Sequence, residues 1–415
     1  MSATGAVCES GRMDLRAYGH VLAVPGVRSI QALGFLVRVP MFAAWVALTL
    51  HVVVTLGRSY GEAGLVSAAF TVAIAVSAPW RGRLLDRVGL RRTLAPSVVV
   101  QAVAWAVIPF LPYAVLLPVV LVAGLFIVPT FSVLRQALLH VLPDQQRRTG
   151  LSLDSVLTEV SFMVGPALGV WAATTWDTRW VLVVLQLASL VGALGFLVTN
   201  PPLRGEGGDP TGAEHPDPVA YRPGRLGWLT WGVAAVLGAS AASTVVLAGT
   251  DVAIVAALRA TGDQGAIGWV MSVWGAGSMI GGLVYGAWHR SLPVVWLLGA
   301  LSVTTLPVAF ATSLGPLAIL LFVCGMLCAP TITATVEALS RLVHERSRGE
   351  ALGWHGSAMT TGQALGAPLA GFAIDHHGWP WGFASVSLVG LPAALGAAIA
   401  QRRRARVEGT VLLSS

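Results

Sequence analysis

Seven ionisable residues stand inside, or at the ends of, long apolar runs: Arg38, Arg135, Asp154, Glu159, Asp251, Glu337 and His355. In hydrocarbon each costs about 2.5–3.5 kcal/mol on insertion scales, so such a residue is paired, wet or functional. The chemistry open to this set is proton transfer and charge pairing. Glu159 lies about two turns inside its run and is the residue expected to take up and release a proton. Asp154 precedes it by five residues, which places it about 140° around a helix, so the two cannot serve one point. The competing arrangement is a static ion pair of Arg135 with Asp154 or Glu159. Arg38 is expected to meet either an anionic solute or an acid on another run. His355 titrates in a range suited to proton transfer, with a structural role as the alternative.

These residues are carried by about twelve apolar runs, near 29–56, 62–80, 93–111, 113–138, 152–174, 179–198, 228–257, 266–288, 292–311, 314–338, 353–375 and 380–401. Each is near the roughly 20 residues that a membrane helix needs. Only 11% of the 415 residues are charged, less than half the load of about 25% in soluble domains, so lipid is the expected solvent. An even number of spans puts both termini on one side. About 21 arginines fall on that side and 3 on the other (Arg58, Arg179 and Arg259), which predicts cytoplasmic termini. Every basic residue is Arg, and the Arg runs lie in short connections rather than in an aromatic-lined basic domain, which argues against nucleic-acid binding.

Residues 1–28 read as a cytoplasmic tail without the early apolar core of a signal peptide. Residues 200–225, rich in Pro, Gly and charge, read as a cytoplasmic linker between a bundle at 29–199 and a second at 226–401; 402–415 forms a closing tail. The two bundles repeat each other at an offset near 200 residues. Val128-Pro-Thr130 returns as Ala329-Pro-Thr331, Arg147 as Arg348, and Gly165-Pro-Ala-Leu168 as Gly366-Ala-Pro-Leu369. The same register sets His355 opposite Asp154. The fold class expected is therefore all-α integral membrane, with twelve transmembrane helices in two pseudo-symmetric six-helix bundles and a solute site between them.

Between the second and third spans stands Gly82-Arg-Leu-Leu-Asp86-Arg87-Val-Gly89-Leu-Arg91-Arg92. This resembles the signature loop of the major facilitator superfamily in residue type, spacing and position, and a degenerate copy, Gly282-Leu-Val-Tyr-Gly286, stands at the connection of the eighth and ninth spans. The resemblance covers roughly 29–401 and implies alternating access, with Asp86 latching onto the start of the eleventh helix to close the cytoplasmic side. Read directly, Gly82 permits close helix contact, Gly89 a tight turn, and Asp86 is an anion placed to favour a helix N-terminus. Arg87, Arg91 and Arg92 are expected to meet acids or anionic lipid heads, or simply to anchor the loop.

In the fifth span, Gly165-Pro166-Ala-Leu-Gly169 resembles the core of the antiporter element of drug exporters in that superfamily, with Ser152, Ser161 and Val170 where the full element has Gly. The resemblance implies a proton-coupled exporter of small organic molecules. An uptake permease or uniporter is the alternative, and a non-transporting membrane sensor the alternative of another class. Trp45, Trp105, Trp274 and Trp354 are candidates to line a cavity. Neither a cofactor nor a metal is expected. Cys324 and Cys328 share a helix face without further ligands, and Walker, HExxH and GxSxG motifs are missing, which argues against an enzyme. The partners expected are a small-molecule solute, protons and the lipid bilayer, with the chain acting as a monomer.

Overall fold

The computed structural model describes residues 16–203, 227–288 and 290–412. Most of the 200–225 linker, the first part of the 1–28 tail and the end of the 402–415 tail lie outside the described residues. A short helix, α1 (Arg16–Ala23), precedes the first span, so the tail is not wholly irregular.

The first six spans are α2 (Val27–Leu50), α3 (Tyr60–Val88), α4 (Leu90–Val107), the pair α5 (Tyr113–Leu125) and α6 (Thr130–Val141), α7 (Asp144–Thr175) and α8 (Thr178–Thr199). The last six are α9 (Trp231–Ala260), α10 (Ile267–Ala287), α11 (Val294–Thr305), the pair α12 (Leu314–Gly325) and α13 (Cys328–Leu342), α14 (Arg348–His377) and α15 (Pro380–Leu412). The fourth and tenth spans break at equivalent places. Pro129, which has no N–H to donate, stands immediately before α6, and Pro330 follows Leu327 by one turn at the start of α13. Local chemistry sets other ends. Ser59 and Glu62 form a capping box at the start of α3, and Gly89 at φ 82° makes the sharp turn into α4.

Several helices run past the apolar runs that announced them. α3 continues to Val88 and α7 starts at Asp144, because polar turns at the membrane edge extend a helix that hydropathy alone cuts short. Among the described residues, ten helices are long and apolar enough to cross a membrane, and Val294–Phe310 is shorter. The twelfth, α14, has 30 residues but carries His355, Ser357, Thr360, Thr361 and Gln363, so hydropathy does not select it. It is held by neighbours instead, packing most extensively on α9 and α3.

The packing repeats between the two bundles. α7 lies against α2, where Gly165 leaves room for Phe42 and Val39 and Gly169 for the backbone of Ala43. α14 lies against α9 in the same manner, Gly366 facing Val245 and Gly362 facing Ala241. Small residues let helix backbones approach where lipid provides no hydrophobic drive between helices. A cluster of buried side chains crosses the bundles at one end: Leu139 and Leu151 pack with Val336, Leu339, Ala351 and Leu352.

Candidate functional site

That end carries the 2–3 loop, and there the bundles are sealed by two mirrored contacts. In the first, α3 meets the start of α14. The Gly349 N–H donates to Asp86 Oδ1 at 2.8 Å and the Glu350 N–H to Asp86 Oδ2 at 2.7 Å. A helix start leaves its first N–H groups without intrahelical partners, and a buried carboxylate satisfies two of them. Arg83 pairs with Glu350 beside this latch. Gly82 and Gly349 cross with almost no space between backbones, because a Cβ on either would run into the other.

In the second contact, α10 meets the start of α7, but Gly286 stands where the mirrored acid would be. The polarity is reversed. Carbonyls at the end of α10 accept from side chains: Thr149 Oγ1 donates to Gly286 O at 2.5 Å, Tyr18 Oη to Leu283 O at 2.7 Å, and Arg148 to Trp288 O. The orphan carbonyls of a helix end and their negative dipole favour such donors. Tyr18 belongs to α1, so this helix straps the first bundle to the second.

Deeper in the first bundle, Asp154 serves two arginines. Arg38 Nη1 lies 2.7 Å from Asp154 Oδ1, and Arg135 Nε lies 3.6 Å from Asp154 Oδ2. Both guanidinium carbons sit 5.7 Å from the centre of the Phe131 ring. Arg38 and Asp154 are each 1% exposed, so the pairing is sealed from solvent in this state. His355 is fully buried across from Arg135, with Nε2 2.9 Å from Thr335 Oγ1. The ion pair therefore falls on Asp154, and Glu159 is not part of it.

Glu159 faces the other bundle. Its Oε1 accepts from Ser278 Oγ of α10 at 3.0 Å, and the side chain is partly buried rather than sealed. Asp251 of α9 lies within Coulombic range of Glu159, and Cys328 within range of both. One carboxylate thus comes from each bundle, beyond the sealed end and toward the middle of the structure. Glu337 lies elsewhere, near the sealed end. It is held by Arg341 at 2.5 Å, by Arg148 of the first bundle at 3.6 Å and by the Tyr285 hydroxyl at 3.3 Å. Among the described residues there is no group of three or more metal-type ligands.

A model of the Major Facilitator Superfamily matches residues 32–250 and again 236–412, nearly the whole chain in two copies. The chain belongs to the major facilitator superfamily. The staphylopine export protein of Staphylococcus aureus is 25% identical over 146 residues. That match spans 35% of this chain and 36% of the exporter, so the chain aligns with about a third of its relative. The fold is also that of solved superfamily members. A bacterial homologue of the iron transporter ferroportin in an outward-facing state has a TM-score of 0.68 at 14% identity, over 91% of this chain and 99% of that one. FucP in the outward conformation has 0.65 at 14% identity, over 93% and 99%, and the human organic anion transporter MFSD10 has 0.64 at 16%, over 90% and 100%.

Of the superfamily loop, Asp86 and Gly82 lie in the seal, whereas Arg87 and Arg92 are exposed and Arg91 donates to the carbonyls of Leu197 and Val198 at the end of α8. The four tryptophans separate. Trp45 lines a small cavity within the first bundle with Gln101 and Gln186. Trp105 is 2% exposed and donates to Gln101, which makes it a packing residue rather than a cavity wall. Trp274 packs beside Cys324, and Trp354 is exposed on α14. Two residues outside the expected set act here: Arg81, buried inside α3, donates to Thr93 O, and Tyr18 reaches the end of α10. Arg81 adjoins Gly82 about 100° around the same helix, and no pattern along the chain marked it for the interior.

Proposed function

We propose that this protein is a secondary active exporter of small organic molecules, driven by protons and working by alternating access as a monomer in a bacterial cytoplasmic membrane. The observation that carries this reading is Glu159. It is the partly buried acid on α7 that reaches Ser278 in the other bundle, and it is separate from the sealed Arg38–Asp154–Arg135 cluster. A proton there changes the charge at the contact between halves that must move, which is what coupling requires. The Gly165-Pro166-Ala-Leu-Gly169 element one to two turns further on supports antiport, and the partial match to an exporter supports outward direction.

In this reading the sealed end is cytoplasmic, as are both tails and the 200–225 linker, and the structure is outward-facing, like two of its solved neighbours. Asp86 acts as the latch. The membrane side is tested by reporter fusions at Ser415 and Gly208, both of which should report cytoplasm. The coupling is tested in proteoliposomes with a compound panel and an imposed pH gradient. Glu159→Gln keeps shape but cannot titrate, so gradient-driven flux should collapse while exchange without a gradient survives. Wild-type coupling in a well-folded Glu159→Gln protein would remove Glu159 from the mechanism.

A further inference from the structure

The second bundle holds a cavity of about 350 Å³ that lies beside the seal and away from Glu159. It lies at the sealed end, between the starts of α9 and α11, the end of α13 and α15. Its walls are mostly small and apolar, among them Ala235, Val236, Val294, Ala338 and Ala397, and its polar side chains are Ser291, Glu337 and Arg341. By volume it would take roughly a dozen waters, yet each ordered water needs two to four polar partners. Three polar side chains, already engaged with one another, leave most of the wall without a hydrogen-bond partner for water. A small inorganic ion would leave the apolar walls bare. An amphiphile, with a hydrocarbon part and one charged end, matches both parts of the lining.

The charged end is anionic. The Arg341 side chain is 61% exposed at the mouth, with Nη1 donating to Ser291 Oγ at 3.1 Å and Nη2 to Glu337 Oε1. Glu337 is neutralised at the floor by Arg148 as well as Arg341, so the three charges sum to a surplus of one positive. Arg290, beside Ser291, is exposed, and α11 begins at the mouth with its positive dipole end. Trp231 and Trp296 are exposed at the starts of α9 and α11 and Trp288 at the end of α10, and indoles gather at the headgroup level of a bilayer. Basic pockets between transmembrane helices bind anionic headgroups.

We propose that this cavity binds one anionic phospholipid from the surrounding leaflet, with an acyl chain among the alanines and the headgroup phosphate on Arg341. A phosphate there competes with Glu337 for Arg341. It leaves Glu337 to Arg148 of the other bundle and so tightens the sealed end. The test is native mass spectrometry of the full chain in mild detergent, titrated with phosphatidylglycerol or with phosphatidylcholine of the same acyl chains. The wild type should retain one phosphatidylglycerol at several-fold lower lipid concentration than phosphatidylcholine. Arg341→Gln should reduce phosphatidylglycerol to the level of phosphatidylcholine, and Ala338→Phe, which fills the cavity, should lower retention of both. Thermal unfolding of each variant checks its fold; if Ala338→Phe does not fold, Arg341→Gln decides, since its side chain is at the surface. Equal retention of the two lipids by the wild type, or wild-type preference for phosphatidylglycerol in Arg341→Gln, overturns the proposal.

Discussion

Replacing Asp86 by Asn removes a charge while keeping the size of the side chain, and the structure sets how much that should matter. The carboxylate accepts two backbone N–H bonds at 2.7 and 2.8 Å and is 5% exposed. Hydrogen bonds to charged groups contribute about 1.5–3 kcal/mol each, against about 0.5–1.5 kcal/mol for neutral ones. Asn keeps one acceptor and turns an NH₂ donor toward the second N–H. One charge-assisted bond is therefore lost and the other weakened, together about 2–4 kcal/mol against the sealed state. At about 1.4 kcal/mol per tenfold, that shifts the ratio of sealed to open forms by roughly thirty- to several-hundred-fold. Complete inversion from 1:99 to 99:1 needs about 5.5 kcal/mol, so a mixed population is expected rather than a full switch. Nitroxide labels at the exposed positions Val88 and Leu292, in a Cys8→Ser background, report the width of this end by pulsed electron resonance. Asp86→Asn should add a longer-distance component to the single short distance of the parent. An unchanged distribution in both Asp86→Asn and Asp86→Ala refutes the latch.

Gly349→Val should produce the same widening without removing a charge, because its side chain would collide with Asp86, Gln136 and the Gly82 carbonyl; a distance distribution like the parent's would show that the crossing is looser than described. Asp154→Asn strips the counter-charge from two buried arginines and should cost about 3–5 kcal/mol, read as a lowered thermal midpoint. The double change Arg38→Gln with Asp154→Asn should recover part of that loss, and a midpoint as low as that of Asp154→Asn alone would argue that the pair is not coupled. Thr149→Val should open the same end less than Asp86→Asn does, since it removes one neutral bond of the mirrored seal, and an equal or larger widening would reverse that ranking.

The spans, the repeat and the acid that meets the start of α14 were legible because each rests on a pattern along the chain. A span is a length of apolar residues, a repeat is an offset, and Asp86 is an acid at a fixed distance from Gly82 and Gly89. The partners of the buried charges were legible only in part. Sequence gives the depth of Arg38, Arg135, Asp154 and Glu159 along their helices and the angle between the two acids, so it excluded a shared target. It does not give the rotation of one helix against another, which alone decides that Asp154 meets Arg38 while Glu159 meets Ser278. Arg81 was counted with the loop because hydropathy ends the second span at Trp80, whereas α3 runs on to Val88 and carries Arg81 into the packed interior. The second seal left no pattern to find, since its acceptors are backbone carbonyls and any residue supplies those.

The composition of α14 bears on how the chain reaches its final place. A translocon passes segments into lipid one after another according to their own apolarity. The helix that fastens the latch carries five polar side chains from His355 to Gln363 and does not meet that standard. Its own apolarity is less than that of the other long spans. Its place is held by α9, with the groove that Gly362 and Gly366 fill, and by α3, both synthesised before it. A nascent chain in which α3 or α9 has not folded therefore lacks the partner that would hold α14 across the membrane, and quality control would meet it as an unfinished protein rather than as a transporter short of one helix.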